Sequence, residues 1–455
     1  MPRKNGARTP TNPMSPLAEV LRDRQVLITG GTGFLGKVLL SILLRQHPEI
    51  GRILLLVRGD RRSSLVRYKR EILESPPLGP VREHLGAEFE RYMAGKVVIV
   101  PGDITEPGLI SDNSGDVVNG SIDAVIHCAG LVNFEASLEK AIGINTLGAA
   151  NVIEFCRLHG AALIHVSTCY TAGIADGQRF ENDVPVEWCP IGGRNFNLQR
   201  EIHDALAAID RVEAESHDHA RQEQFRTAAG EGNAGDGIDE PSDRAVESRR
   251  KQWLEERFKQ IGKERAQSWG WPNTYSYTKS LGEQLVLAAR DTITAAVVRP
   301  SVIESAQFYP EPGWNQGVNT SAPLTYLTGR GFRFVPATGP LVLDVIPVDL
   351  VAHALVPVLA AVLLKRHQPI YQLGTSDVNP LPMRRLVELT GLSNRRDHRL
   401  NGGPMGKLAP HLDASATSPQ IYQLVTRQIP AMLKQAASIG RMVFGEDSAP
   451  ARKFA

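Results

Sequence analysis

The stretch that most constrains this chain is Val26-Leu-Ile-Thr-Gly-Gly-Thr-Gly-Phe-Leu-Gly36. An apolar run ends at Thr29, and glycines follow at positions 30, 33 and 36. A helical pattern of apolar residues then continues to about Gln46. Strand, tight turn and helix in this order form the unit that holds a pyrophosphate. The glycines let the backbone turn and be approached closely, and the helix N-terminus presents unpaired N–H groups. A Gly-rich turn alone joins any strand to any helix. Here both flanks are present, so the spacing predicts a dinucleotide site in a parallel α/β domain.

Further apolar segments extend the pattern. Arg52–Arg58, Lys96–Val100, Ala124–Gly130, Ala162–Thr168 and Ala295–Pro300 read as strands buried on both faces, with helical segments between the earlier ones. This alternation predicts a doubly wound parallel sheet. Ile370–Leu373 reads as a late strand, and Leu138–Cys156 as a helix containing Asn145. Ligands bind such sheets at the C-terminal ends of the strands. The expected cofactor contacts therefore collect there: Thr29, Gly30, Thr32, Gly33, Phe34, Leu35 and Gly36 at the first turn, Arg58, Asp103, Ile104 and Ala129 after the next three strands, and Pro300 and Val302 after the sixth. A carboxylate at the end of the second strand holds the ribose hydroxyls of NAD. Arg58 stands there instead, with Arg61 and Arg62 beyond, which suits the 2′-phosphate of NADP. His127 reads as a packed strand-end histidine rather than a catalytic one.

Composition removes other classes. The 455 residues carry 51 basic and 49 acidic side chains, a net charge of +2, which argues against a general grip on nucleic acid. Cys128, Cys156, Cys169 and Cys189 are widely spaced, so a disulfide framework and a metal site are not expected, and reduced thiols fit a cytoplasmic protein. Arg3, Lys4 and Arg8 are followed by no apolar core, so no signal peptide is expected, and residues 1–20 read as a flexible tail. Ala354–Leu364 is too short to span a bilayer and contains Pro357, so no transmembrane segment is expected. From about 198 to 267 the chain is dense in charged residues. It reads as two charged helices flanking a Gly/Ala/Asp-rich connector at 228–243, either a lid or partner surface or a solvated insertion.

The chemistry falls on Thr274-Tyr-Ser-Tyr-Thr-Lys279. Tyr275 and Lys279 are four apart and share a helix face. A lysine ammonium stabilises phenolate, so Lys279 is expected to lower the phenol's pKa and to hold the nicotinamide ribose. Thr168, closing the fifth strand, is expected to hydrogen-bond the carbonyl oxygen being reduced. Tyr277 is the competing tyrosine, but the residue four positions on is Leu281.

With these motifs in place the sequence resembles one family. The spacing of Gly30, Gly33 and Gly36 is that of extended short-chain dehydrogenases/reductases. Together with His165-Val-Ser-Thr-Cys-Tyr170, Val298-Arg-Pro-Ser-Val-Ile-Glu-Ser-Ala306, Glu311-Pro-Gly-Trp314, Asp344-Val-Ile-Pro-Val-Asp349 and Asn379-Pro380, it resembles the fatty acyl-CoA reductases, especially the bacterial alcohol-forming type. The resemblance runs from about Val26 to Leu389. It implies reduction of a long-chain acyl-CoA to fatty alcohol by NADPH, with Thr168, Tyr275 and Lys279 as the catalytic set. It implies a Rossmann domain over 21–305, a substrate lobe over 306–400 and a partial C-terminal helical region over 401–455. An acyl substrate is compatible with peripheral membrane contact. Two other enzyme readings share these motifs: a reductase that stops at the aldehyde, and a nucleotide-sugar epimerase or dehydratase. A third reading is an NADP-binding scaffold without turnover.

Overall fold

The structure, a computed structural model, describes residues 16–111, 121–183, 185–192, 195–231, 242–317, 320–329, 332–337, 339, 341–401 and 414–424. Seven strands form the central sheet: β1 Gln25–Thr29, β2 Arg52–Val57, β3 Val97–Pro101, β4 Ala124–His127, β5 Ala162–Val166, β6 Ala295–Pro300 and β7 Ile370–Leu373. Their order is β7-β6-β5-β4-β1-β2-β3 and every pairing is parallel. The order reverses direction at β1, between β4 and β2, which creates the crevice where such sheets bind ligands. The sequence reading of a doubly wound α/β fold is met. The strands read as unbroken apolar runs because both faces are covered: Ile53 through Val57 are all buried.

Helix α1, Phe34–Gln46, follows β1 and packs on the late helix Val348–Leu363. On the opposite face lie Gly148–His159 (α2) and Thr274–Ala288 (α5), against Leu27, Val125, Leu163, Ala295 and Val297. Ahead of α2, Leu138–Ile142 is joined to it by a π-type turn at Gly143–Leu147. Asn145 lies within that wide turn, an irregularity common at functional positions.

The charged segment is three helices rather than two: Leu198–Ser216 (α3), His219–Glu231, and Asp243–Ser268 (α4). Of the expected connector, 228–231 lie in the middle helix and 232–241 lie outside the described residues. The segment is not a solvated appendage. Ile202, Ala205 and Val212 of α3 and Leu254, Phe258 and Ile261 of α4 share one core with Trp271, Tyr277 and Leu281 beside and on α5. Those apolar positions recur at helical spacing within a charged background, so each helix has a narrow buried stripe. Each buried Leu, Ile or Phe contributes about 1.5–3 kcal/mol, enough to fix the back of α5.

Two compact units emerge. Among the described residues, one lies within Met1–Ser301, Ser305–Trp314 and Pro347–Leu373, and the other within Val302–Glu304, Asn315–Ile346 and Gly374–Ala455. The expected boundary at 305/306 therefore differs. Pro347–Leu373, placed in a substrate lobe by its position in the chain, belongs with the sheet because Ile370–Leu373 pairs with β6. In the second unit, Ala322–Gly329 packs on Met383–Asn401, and Ser415–Thr417 pairs with Phe334–Pro336. Pro16–Leu21, expected as tail, is a helix; residues 1–15 lie outside the described residues, as do 402–413 and 425–455 of the expected C-terminal helical region. Among the described residues no helix is long and apolar enough to cross a membrane.

Candidate active site

The glycine turn nests against the exit of β4. Gly30 has φ +75°, and a Cβ there would stand 2.6 Å from the Ala129 amide nitrogen. A Cβ on Gly36 would stand 2.3 Å from the Gly30 carbonyl oxygen. Both positions exclude any side chain. Gly33 is the N-cap of α1 and provides no side-chain acceptor, so the first amides of α1 keep their hydrogen-bonding capacity. Thr32, Gly33 and Phe34 are half-buried, whereas Leu35 and Gly36 are buried into the fold. Thr29 is fully buried; its hydroxyl accepts from Ala129 N (3.2 Å) and pairs with His127 Nδ1 (2.7 Å), joining β1 to β4.

The three expected catalytic residues come together at the C-terminal end of β5. Thr168 follows β5 and is buried, and its hydroxyl accepts from Tyr170 N. Asn273 caps α5 by accepting from Ser276 N, which starts the helix so that Tyr275 lies in its first turn. The Tyr275 phenol is hydrogen-bonded to Thr168, and its ring packs on Phe134 with centroids 5.6 Å apart. Lys279, one turn on, donates to the Val166 carbonyl at 2.8 Å and lies 3.5 Å from His165 Nε2.

The electrostatics differ from expectation at Tyr275. Burial pushes the phenol up to about 12, only partly offset by the Thr168 hydrogen bond. Lys279 does not lower it, because its ammonium is directed to β5. Tyr275 is thus held as an acid with its proton on. Burial also lowers Lys279 to about 8, opposed by Glu283 and Cys128.

Comparison with known proteins decides the family. Residues 28–355 match the NAD-binding family described as "Male sterility protein". The alcohol-forming fatty acyl-CoA reductase of Simmondsia chinensis is 30% identical over 386 residues, covering 83% of this chain and 71% of that protein. Fatty acyl-CoA reductase 1 of Arabidopsis thaliana is 29% identical over 437 residues, covering 92% and 81%. The chain belongs to the fatty acyl-CoA reductase family. Among solved structures, two reductase domains share the fold at TM-score 0.50 and 19% identity: the terminal domain from the myxalamid pathway (89% of this chain, 86% of that one) and one from a Mycobacterium tuberculosis non-ribosomal peptide synthetase (96% and 82%). Membership of this family makes the protein an oxidoreductase using a nicotinamide cofactor.

Of the other expected cofactor residues, Arg58, Asp103, Ile104 and Pro300 follow or end strands of the sheet. Arg58 follows β2 with its side chain 69% exposed, and its guanidinium is 3.9 Å from Asp103. Asp103 also accepts from the Thr105 amide and hydroxyl. The Ile104 carbonyl accepts from Asn151, and its side chain is buried. Pro300 ends β6. Val302 lies in the second unit, where its amide donates to the Asp344 carbonyl.

Several organising residues had no readable role in the sequence. Asn145 accepts from Leu131 N (2.8 Å) and donates to Leu131 O and Thr278 Oγ1, tying the loop after β4 to α5. Gly282 permits this approach, since a Cβ there would stand 2.1 Å from the Asn145 carbonyl. Asp349 accepts from the amides of Gln307, Phe308 and Tyr309. Trp314 of the Pro-Gly-Trp motif packs on Phe34, centroids 5.3 Å apart, so Phe34 supports the glycine turn. Tyr277 is buried, and its hydroxyl donates to Glu201, which also accepts from Arg265. This links α5 to α3 and α4.

Proposed function

We propose that the protein reduces long-chain fatty acyl-CoA to the fatty alcohol with NADPH and releases coenzyme A. The observation that carries this reading is the buried Tyr275 phenol, hydrogen-bonded to Thr168, with Lys279 one turn further along the same helix. The glycine cradle and the uncapped start of α1 fit a dinucleotide pyrophosphate: Gly30 and Gly36 exclude a Cβ, and the α1 amides supply N–H donors. Gly33 and Thr32 would hold the pyrophosphate, Arg58 the 2′-phosphate, and Lys279 the nicotinamide ribose. When bound, the cofactor supplies hydride to the substrate carbonyl carbon.

The chain's own residues then handle the oxygen. Thr168 Oγ1 and Tyr275 Oη donate hydrogen bonds to the carbonyl oxygen, and Tyr275 Oη transfers its proton as negative charge develops there. The high phenol pKa keeps that proton in place until the oxygen becomes basic. Reduction of the thioester gives a hemithioacetal; its C–S bond breaks and coenzyme A leaves as the thiol. The aldehyde left behind is a better electrophile than the thioester and would face the same two hydroxyls once Tyr275 has regained a proton from solvent and a second NADPH has replaced the spent cofactor. Its chain favours retention, because escape to water exposes it at about 0.8 kcal/mol per CH₂. The relative in Simmondsia chinensis is described as alcohol-forming, which supports the same end product.

The reading is tested by incubating the purified protein with palmitoyl-CoA and NADPH and extracting the products. Fatty alcohol is expected. Aldehyde captured by a hydrazine reagent would identify a two-electron reductase. Turnover of a nucleotide sugar with no cofactor consumed would identify an epimerase or dehydratase.

The NADPH preference rests on Arg58. A charge-assisted pairing with phosphate contributes on the order of 1.5–3 kcal/mol, so Arg58→Asp is expected to lower the kcat/KM ratio of NADPH to NADH by roughly 10- to 100-fold. Equal wild-type efficiency with both cofactors would remove the assignment.

A further inference from the structure

Thr29, His127 and His165 stand at one level on three adjacent strands. Thr29 is in register with His127 across β1 and β4, and His127 with His165 across β4 and β5. All three are almost wholly buried. Strand periodicity puts them on the face that carries Leu27, Val125 and Leu163, which α5 covers. Most such positions in a parallel sheet are apolar, so a polar row across three strands needs a reason.

The hydrogen bonds define what the row does. The His127 and His165 rings lie 5.1 Å apart, centroid to centroid. At the far end Lys279 Nζ stands 3.5 Å from His165 Nε2. An ammonium has donors only, so Nε2 must be the acceptor. Burial and the Lys279 charge hold both imidazoles below their ordinary range, His127 at about 3, so both are neutral. A neutral ring that accepts at Nε2 carries its proton on Nδ1. That Nδ1 has no hydrogen-bond partner among the described residues. Leucine would fill this space without burying an unpaired polar atom, so packing alone does not account for the imidazole.

We propose that His165 is a positioning residue for Lys279. Its neutral Nε2 and the Val166 carbonyl take two of the three ammonium protons, which keeps Lys279 charged inside the core and leaves its third N–H for the site. His127, locked through Thr29, backs the His165 ring. The groups facing Lys279 are His165 and the Val166 carbonyl on β5, His127 and Cys128 at the end of β4, Asn145 across Gly130, and Glu283 on its own helix. Among these Glu283 is the anion. The proposal rests on Lys279 serving the reaction assigned above, but its NMR test needs neither substrate nor cofactor.

The test is NMR of the protein carrying ¹³Cε-lysine, with the Lys279 signal assigned by its loss in Lys279→Arg. Wild-type Lys279 is expected to titrate near pH 8. In His165→Leu the midpoint is expected to fall by roughly one pH unit, the scale of a lost hydrogen bond to a charge. His165→Gln, which keeps an acceptor oxygen, is expected to restore most of it. The alkaline limb of kcat/KM should move with the NMR midpoint. An unchanged midpoint in His165→Leu, with only a lower Tm, would overturn the proposal and leave His165 a packing residue. ¹⁵N spectra of the wild-type imidazole give a reading that does not depend on a variant folding: the Nδ1–H tautomer is expected, and an Nε2–H tautomer would overturn the proposal.

Discussion

Tyr275→Phe is expected to lower kcat/KM by about 10²- to 10⁴-fold, the usual scale for loss of a general acid. The ring stays, so its packing on Phe134 and its place in the first turn of α5 are kept. What disappears is the one phenolic proton aimed beside Thr168. The Kd for NADPH should stay within a few-fold, because the glycine turn, Arg58 and Lys279 are untouched. The parallel change Tyr277→Phe separates chemistry from structure. It removes a buried hydrogen bond and leaves Glu201 with Arg265 as its remaining partner, costing roughly 1–3 kcal/mol of stability with turnover largely retained. Dead Tyr277→Phe beside active Tyr275→Phe would show that the wrong tyrosine has been assigned.

Arg299→Met is expected to produce the largest loss of stability. Arg299 and Glu283 are 1% and 0% exposed, joining β6 to α5. Both Nε (3.1 Å) and Nη2 (2.6 Å) of Arg299 donate to one Glu283 oxygen, and Nη1 donates to the Glu181 carbonyl. Removing the guanidinium leaves the buried Glu283 carboxylate without its hydrogen-bonded partner, a loss of about 3–5 kcal/mol. Pairing Arg299→Met with Glu283→Leu removes both charges of the pair and should recover part of that loss, the remainder reflecting the support Glu283 gives the buried Lys279 ammonium. Urea unfolding of the single and double variants measures this. A single variant within about 1 kcal/mol of wild type would mean that the pair is not buried as described.

The parts legible in the sequence were those with a local period or a fixed spacing. β1, the glycine turn and α1 were readable because period-two and period-3.6 patterns meet at Gly30, Gly33 and Gly36. Tyr275 and Lys279 were readable because they share a helix, and Thr168 because it closes an apolar strand. Contacts between distant segments were not. Ile370–Leu373 gave no sign that it would join β6, which returned residues 347–373 to the sheet. Glu201 and Arg265 look like two more charges in a charged stretch, and only the packing of α3 and α4 brings them to Tyr277. The phenol's environment failed for the same reason. Residue spacing puts Lys279 near Tyr275, but the acceptors on β5 that turn its ammonium aside belong to another part of the chain.

The narrow buried stripes of α3 and α4 show how far patterning reaches. Charge density alone suggested a solvated insertion, while the spacing of Ile202, Ala205 and Val212, and of Leu254, Phe258 and Ile261, carried the burial. Composition averaged over the segment hid that signal.

A single site that takes an acyl thioester through the aldehyde to the alcohol fixes how much cofactor each turnover consumes. The most direct measurement follows NADPH by absorbance and free coenzyme A by thiol titration, during turnover of palmitoyl-CoA by the purified protein. Two NADPH consumed per coenzyme A released, with fatty alcohol extracted, is the predicted result. One NADPH per coenzyme A, with the aldehyde trapped by a hydrazine reagent, would contradict it.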